Sequence, residues 1–331
     1  MADPSAWTQA IERARQHAPF LKRSLDRLPD LEALLAQGDG DSALHRVRKR
    51  GQHDDTGIGL RLERLALATT LAIGDLAGAF PLSRVVSELT RFADEAMERA
   101  IRAAILERTG EVTASGFIAL ALGKQGAGEL NYSSDIDPVL LYDPATLPHR
   151  AKDDPGEAAQ RYTRRIVQLL SENTAEGYVL RVDLRLRPNS EISPLAVPRA
   201  LALEHYQSEA LPWERAAFTR ARAAAGDIPA GEAFLETIRP FVWRTNLDFG
   251  AMEDIRSLTA RIRDAEDGPL LPGPGFNVKK GRGGIRESEF IVQTHQLIHG
   301  GRDPALRVRG TRDALAALAD DGPIEPANAR R

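Results

Sequence analysis

Apolar residues recur at three- and four-residue spacing from Ile58 to Leu76, with Leu60, Leu65, Leu67 and Leu71 among them. The same period returns over Leu82–Leu106, where Val85, Val86, Leu89, Phe92, Ala93 and Met97 form one stripe. This spacing predicts two long amphipathic helices, the second closed by Gly110 as a C-terminal cap. Shorter helices are expected over Ser5–His17 and, after a polar stretch, over Asp41–Lys49, which runs into the loop Gly51–Thr56. Up to about Arg108 the chain is a helical scaffold, and its polar positions gather into nothing that would carry chemistry.

The pattern changes after Gly110. Gly116–Leu122 is continuously apolar, as a strand buried on both faces would be. From Leu120 to Asp143 the chain reads as strand, glycine-rich turn, short polar helix and second strand. Asp153–Glu176 is a further helix with Tyr162, Ile166, Leu169 and Leu170 as its buried stripe. Tyr178–Pro188 then alternates strictly, with Tyr178, Leu180, Val182, Leu184 and Leu186 on one face and Arg181, Asp183, Arg185 and Arg187 on the other. Such alternation predicts a strand. Helices are expected over Pro198–Gln207, Trp213–Ala225, Glu232–Trp243, Met252–Glu266 and Ile285–His299, with the breaker-rich loop Asp267–Gly275 before the last and a polar tail at Asp321–Arg331. The fold class is α+β.

Composition narrows the classes. Hydrophobic residues make up 42% of 331, enough for the cores of two or three structural units. The 44 basic and 47 acidic residues nearly balance, which speaks against a general polyanion binder and against nucleic acid as a partner. The absence of cysteine excludes disulfides, thiolate metal sites and cysteine nucleophiles. The N-terminus shows no signal peptide, and the most apolar run, Leu65–Phe80, is broken by Asp75 and too short to span a bilayer. A soluble, cytoplasmic chain with no membrane partner is expected.

The chemistry concentrates in Leu120–Asp143. Asp135 and Asp137 are one residue apart on a strand, so their side chains project together while Ile136 points away. Paired carboxylates repel, and a cation between them removes that penalty. Lys124, on the glycine-rich turn just upstream, suits phosphate. Metal plus phosphate is the first hypothesis. Asp183 reads either as part of a solvated edge-strand face or, one helix after the aspartate pair, as a third carboxylate beside it. Gly281, Gly283 and Gly284, flanked by Lys279, Lys280 and Arg282 before a helix start, read equally as a second anion site or as a flexible linker.

These blocks resemble one family. GKQGAGELNYSSDID, RVDLRLRP, PWERAAFTRAR and KKGRGGIRESEFIVQTHQLIHGGRDP stand in the order and at the spacing of the bifunctional glutamine synthetase adenylyltransferase/adenylyl-removing enzymes, from about Ala43 to about Leu318. The combination L-N-Y-S-S-D-I-D, R-V-D-x-R-L-R-P and G-G-I-R-E-x-E-F is similar to the N-terminal, adenylyl-removing half. Full-length members carry a second nucleotidyltransferase unit, so the resemblance implies an N-terminal fragment or a truncated gene product.

The resemblance implies a DNA polymerase β-type nucleotidyltransferase core, a small mixed sheet with helices, at residues 111–195. It would lie between helical regions at 1–110 and 196–331. It further implies Asp135, Asp137 and Asp183 as catalytic ligands of one or two Mg²⁺ or Mn²⁺ ions. Gly123, Lys124 and Ser134 would form the phosphate-facing turn, and Arg185 and Arg187 would bind phosphate or the adenylyl group. Lys279, Arg282 and Arg286 would either close the site from the helical region or serve in structural salt bridges. The implied substrates are inorganic phosphate, giving ADP, or ATP for the reverse transfer; glutamine synthetase, with its adenylylated tyrosine, and a PII-type signal protein are the implied partners. The alternatives are adenylyl transfer from ATP and a non-catalytic regulatory module. Three departures from the family pattern stand out: Asn189–Ser193 lacks the expected glycines, Pro138 follows the second aspartate, and Asn277, Lys280 and Ser288 replace other residue types.

Overall fold

A computed structural model describes residues 3–245, Ser257 and residues 271–320. Six helices lead: α1 (Pro4–His17), α2 (Pro19–Arg27), α3 (Pro29–Ala36), α4 (Gly40–Arg50), α5 (Thr56–Leu76) and α6 (Leu82–Thr109). The polar stretch between the first two predicted helices is thus helical itself, each half opening on a proline at the first turn, where the missing N–H costs nothing. Aspartate side chains cap α4 and α5, Asp39 accepting from Ser42 N–H at 3.0 Å and Asp55 from Ile58 N–H at 2.8 Å. Gly110 ends α6 in the left-handed region, as its sequence position predicts.

The sheet has the order β3-β2-β1-β4, from β1 (Phe117–Ala121), β2 (Pro138–Tyr142), β3 (Ala196–Pro198) and β4 (Arg222–Gly226). β1 runs antiparallel to both β2 and β4, and β2 runs parallel to β3, so the sheet is mixed. Between its strands lie α7 (Gly123–Ala127), α8 (Pro155–Ser171), α9 (Arg199–Ser208) and α10 (Pro212–Phe218). After β4 come α11 (Ile228–Thr237), α12 (Arg239–Val242), α13 (Ile285–His299) and α14 (Thr311–Asp320).

Alternate side chains of β1 and β2 serve two cores. Phe117, Ala119, Leu140 and Tyr142 join α8 and the N-terminal helices in one cluster with Trp7, Leu60, Leu71 and Met97. Ile118, Leu120, Val139 and Leu141 pack with Tyr206, Phe218 and Phe234 of α9, α10 and α11. Among the described residues, no helix is long and apolar enough to cross a membrane.

Three expectations are corrected. Tyr178–Pro188 is not a continuous strand: Val182 alone bridges to Ile136, and the chain turns after Leu184. Trp213–Ala225 is not one helix. It breaks after Phe218, and Arg222–Gly226 becomes β4, because pairing with β1 outweighs the helix preference of Ala223–Ala225. Pro138 is the first residue of an inner strand, opposite Ala121, where a missing donor is tolerated. The sheet also runs past residue 195, taking β3 and β4 from beyond it. Apart from Ser257, the predicted helix Met252–Glu266 lies outside the described residues, as do the start of loop Asp267–Gly275 and the tail Asp321–Arg331.

Candidate active site

The entry to β2 is built around Ile136, which is wholly buried. Its N–H donates to the Arg181 carbonyl at 3.0 Å, and its own carbonyl accepts from Asp183 N–H at 2.9 Å. With Ile136 turned inward, Asp135 and Asp137 face the other way, and this two-bond bridge sets Asp183 alongside them. Sequence alone left Asp183 open between a solvated face and a shared site; the backbone joins it to the pair.

Gly123 closes the opposite side. It has φ +56°, and a Cβ there would stand 2.9 Å from Asp137 Oδ2, so a side chain would fill the space against the carboxylate. Lys124 follows, half-buried, on α7. This short helix is held from beneath. Gln125 Nε2 donates to Asp94 Oδ1 on α6 at 2.9 Å, and Arg222 of β4 binds Asp94 Oδ2 at 2.8 Å and the Gln125 carbonyl at 3.0 Å. Gly126 lies so close to the carbonyls of Arg220 and Ala121 that a Cβ would meet them at 2.2 and 2.6 Å.

Electrostatics separates the three carboxyls. Burial, then the charge of Asp183, then that of Asp135 push Asp137 up to about 6, against the pull of Lys279 and Arg185. Asp183 is held below the usual carboxylate range by Arg185, whose Nε reaches both its oxygens at 2.9 Å and whose N–H donates to Oδ1 at 3.0 Å. Asp135 accepts from Arg181 Nε, and that guanidinium also reaches Tyr178 Oη at 3.3 Å.

The remaining predicted residues divide. Arg185 is at the site. Arg187 is not offered to it: its guanidinium is taken up by the carbonyls of Leu184 (2.8 Å), Ser190 (2.6 Å), Ser193 (3.2 Å) and Pro194 (3.1 Å). Ser134 knits the turn before Asp135, donating to Asn131 Oδ1 at 2.9 Å and accepting from Asn131 N–H at 3.1 Å. Lys279 acts on Asp137 from the loop before α13, while the Gly283 N–H at that helix start is already bound by Glu287 Oε2 at 2.6 Å. Arg181 stood on the polar face of the alternating segment without being singled out. Gln125 and Arg222 lie inside the quoted blocks and Asp94 outside them, but their joint role exists only once α6 and β4 meet α7.

Among the described residues, no three His, Asp or Glu side chains converge on one point as a finished metal cluster, because arginines draw off Asp135 and Asp183. The donor set nonetheless fits a divalent cation: three carboxyls share one backbone junction, and the innermost feels the charge of the other two.

A small mixed sheet whose inner strand starts at paired aspartates, with a third bridged beside them and a glycine turn over them, is consistent with a nucleotidyltransferase-like domain. The family model described as glutamate-ammonia ligase adenylyltransferase matches residues 6–237, and one described as GlnD PII-uridylyltransferase matches residues 255–331. The chain is 44% identical to the bifunctional glutamine synthetase adenylyltransferase/adenylyl-removing enzyme of Rhizobium meliloti, over 96% of this chain and 34% of that protein. For the proteins of the same description in Caulobacter vibrioides and Agrobacterium fabrum identity is also 44%, over 82% and 79% of this chain and 28% of each relative. The chain therefore belongs to the glutamate-ammonia ligase adenylyltransferase family, and it spans about a third of the length of these relatives.

Proposed function

We propose that this chain performs the adenylyl-removing reaction on glutamine synthetase. An oxygen of inorganic phosphate attacks the phosphorus of the AMP–tyrosine ester and forms the new P–O bond of ADP. The bond to the tyrosine oxygen breaks, and that oxygen takes a proton. The observation carrying this reading is the junction at Ile136, which sets Asp183 alongside Asp135 and Asp137; burial first, and then the charges of Asp183 and Asp135, push Asp137 up to about 6. Those three residues would hold Mg²⁺ or Mn²⁺, which when bound offsets the charge on the attacking and leaving oxygens. Lys124 on α7 and Arg185, paired with Asp183, are the cations we assign to the phosphoryl oxygens. The N-terminal motif set supports removal over addition. The match at residues 255–331 to a model for a PII-modifying enzyme supports a PII-type protein as a second partner.

The test mixes adenylylated glutamine synthetase, this chain, Mg²⁺ and phosphate and follows ADP. Phosphate-dependent ADP that is lost by roughly 10³-fold or more in Asp135→Asn/Asp137→Asn is expected. Pyrophosphate release from ATP, without phosphate-dependent ADP, would assign the forward transfer instead. A non-catalytic module is the second reading, motivated by the arginines on Asp135 and Asp183; a folded, metal-binding chain that releases neither product would establish it.

A further inference from the structure

A cavity of about 490 Å³ opens between the loop at residues 189–192 and the helix pair α9 and α10. The loop wall is knit by its own backbone. Arg187 collects the carbonyls of Ser190, Ser193 and Pro194, and the Ser193 hydroxyl donates to the Pro188 carbonyl at 2.5 Å. Ile192 of this wall is 87% exposed, and Leu211 on the helix side is 54% exposed, next to the half-buried Trp213. Apolar surface is thus left to water on both walls, and an apolar body placed between them would cover it.

His205 of α9 and Glu214 of α10 also line the cavity, and both are buried, at 6% and 3% exposure. His205 Nε2 lies 2.8 Å from Glu214 Oε1, and Glu214 Oε2 accepts from the Leu211 N–H at 2.7 Å. A carboxylate only accepts, so the hydrogen of that contact sits on Nε2. In the neutral ring Nδ1 is then a bare acceptor, and it is buried with no hydrogen-bond partner among the described residues. The charge of the lining has the same sense. Glu191 and Glu209 add two exposed carboxylates to that of Glu214, whereas the one arginine, Arg187, has its guanidinium taken up by carbonyls. An acceptor without a donor and an excess of carboxylates both call for a cation that carries N–H.

We propose that this cavity binds a small organic ammonium compound. Its apolar or aromatic body lies between Ile192, Leu211 and Trp213, its charged head faces Glu191 and Glu209, and its N–H supplies the donor that His205 Nδ1 lacks. The volume suits a molecule of metabolite size. None of Asp135, Asp137 and Asp183 lines the cavity, so the inference stands apart from the reaction proposed above.

Three probes of one shape and different charge test it on the whole chain: benzylammonium, benzyl alcohol and benzoate. Affinity is read by ligand-observed nuclear magnetic resonance, and location by tryptophan fluorescence. Benzylammonium is expected to saturate, benzyl alcohol to bind about 10-fold more weakly, and benzoate not to saturate. The fluorescence change with benzylammonium is expected to vanish in Trp213→Phe. Glu191→Gln/Glu209→Gln alters only exposed rim carboxylates and is expected to weaken benzylammonium about 3- to 10-fold while leaving benzyl alcohol unchanged. His205→Phe/Glu214→Leu replaces the buried pair with apolar side chains and is expected to weaken both probes about 3-fold; should it fail to fold, the rim variant decides alone. Absence of saturation by benzylammonium, benzoate binding as tightly, unchanged affinity in the folded rim variant, or saturation that leaves Trp213 fluorescence unmoved each overturns the proposal.

Discussion

Asp137 is acted on in one sense by burial and by two neighbouring carboxylates, and in the other by Lys279 and Arg185; the first set prevails and its pKa rises from 3.8 to about 6. A carboxyl whose folded-state pKa lies above its unfolded value binds its proton more tightly when folded. The stability it contributes is fully present below about pH 4 and is lost as pH rises through about 6. Two pK units correspond to roughly 2–3 kcal/mol in all. Asp137→Asn removes the charge, so in chelator its urea midpoint is expected to match the unaltered chain near pH 4 and to exceed it near pH 8. Equal midpoints at both pH values would mean that the carboxyl is not under strain from its neighbours. The same residue carries the opposite expectation for function, since Asn cannot supply the anionic ligand that the proposed reaction needs.

At the scale of elements, the segment after Val182 shows what a hydrophobic pattern can and cannot report. Leu180, Val182 and Leu184 do pack against the larger core, as their alternation predicts. Pairing is a separate matter, because alternation records which side chains are covered, not whether a neighbouring backbone is free to bond. Here Arg187 gathers four carbonyls from its own loop and winds the chain into turns. β4 was hidden for the converse reason: Ala223–Ala225 are small helix formers, and only the exposed edge of β1 makes them a strand. The aspartate pair was legible because its spacing is a property of the chain. The clamp on α7 was not, because Asp94, Gln125 and Arg222 lie far apart in sequence.

The loop lacking the family's glycines has its own answer. Asn189 adopts φ +49°, a left-handed conformation that asparagine tolerates better than most residues with a side chain. Asn189→Ala is expected to cost about 1 kcal/mol, and Asn189→Gly to be neutral or stabilising. Matching urea midpoints for the two variants would remove backbone strain from the account of this loop.

Across the whole molecule, the helices before Gly110 are not a detachable scaffold. They share one continuous core with the sheet, in which Phe117, Ala119, Leu140 and Tyr142 lie with Leu60, Leu71, Met97, Ile101 and Ile105. Arg61 reinforces the join, its guanidinium donating to the carbonyls of Gly177 at 2.9 Å and Glu172 at 3.0 Å, just ahead of the segment that bears Asp183. Each large apolar side chain on that sheet face is worth roughly 1.5–3 kcal/mol of burial, and uncovering several together exceeds the few kcal/mol by which a domain is stable. A chain started at residue 111 is therefore expected to keep helical far-ultraviolet dichroism, bind a hydrophobic dye and lose its sharp melt. The full chain should melt in one step, with tryptophan fluorescence and far-ultraviolet dichroism moving together. A cooperative melt and native aromatic dichroism from the shortened chain would show the site to be independent of the helices. On the shared core, the carboxylate junction at Ile136 instead depends on packing contributed by residues more than fifty positions before it.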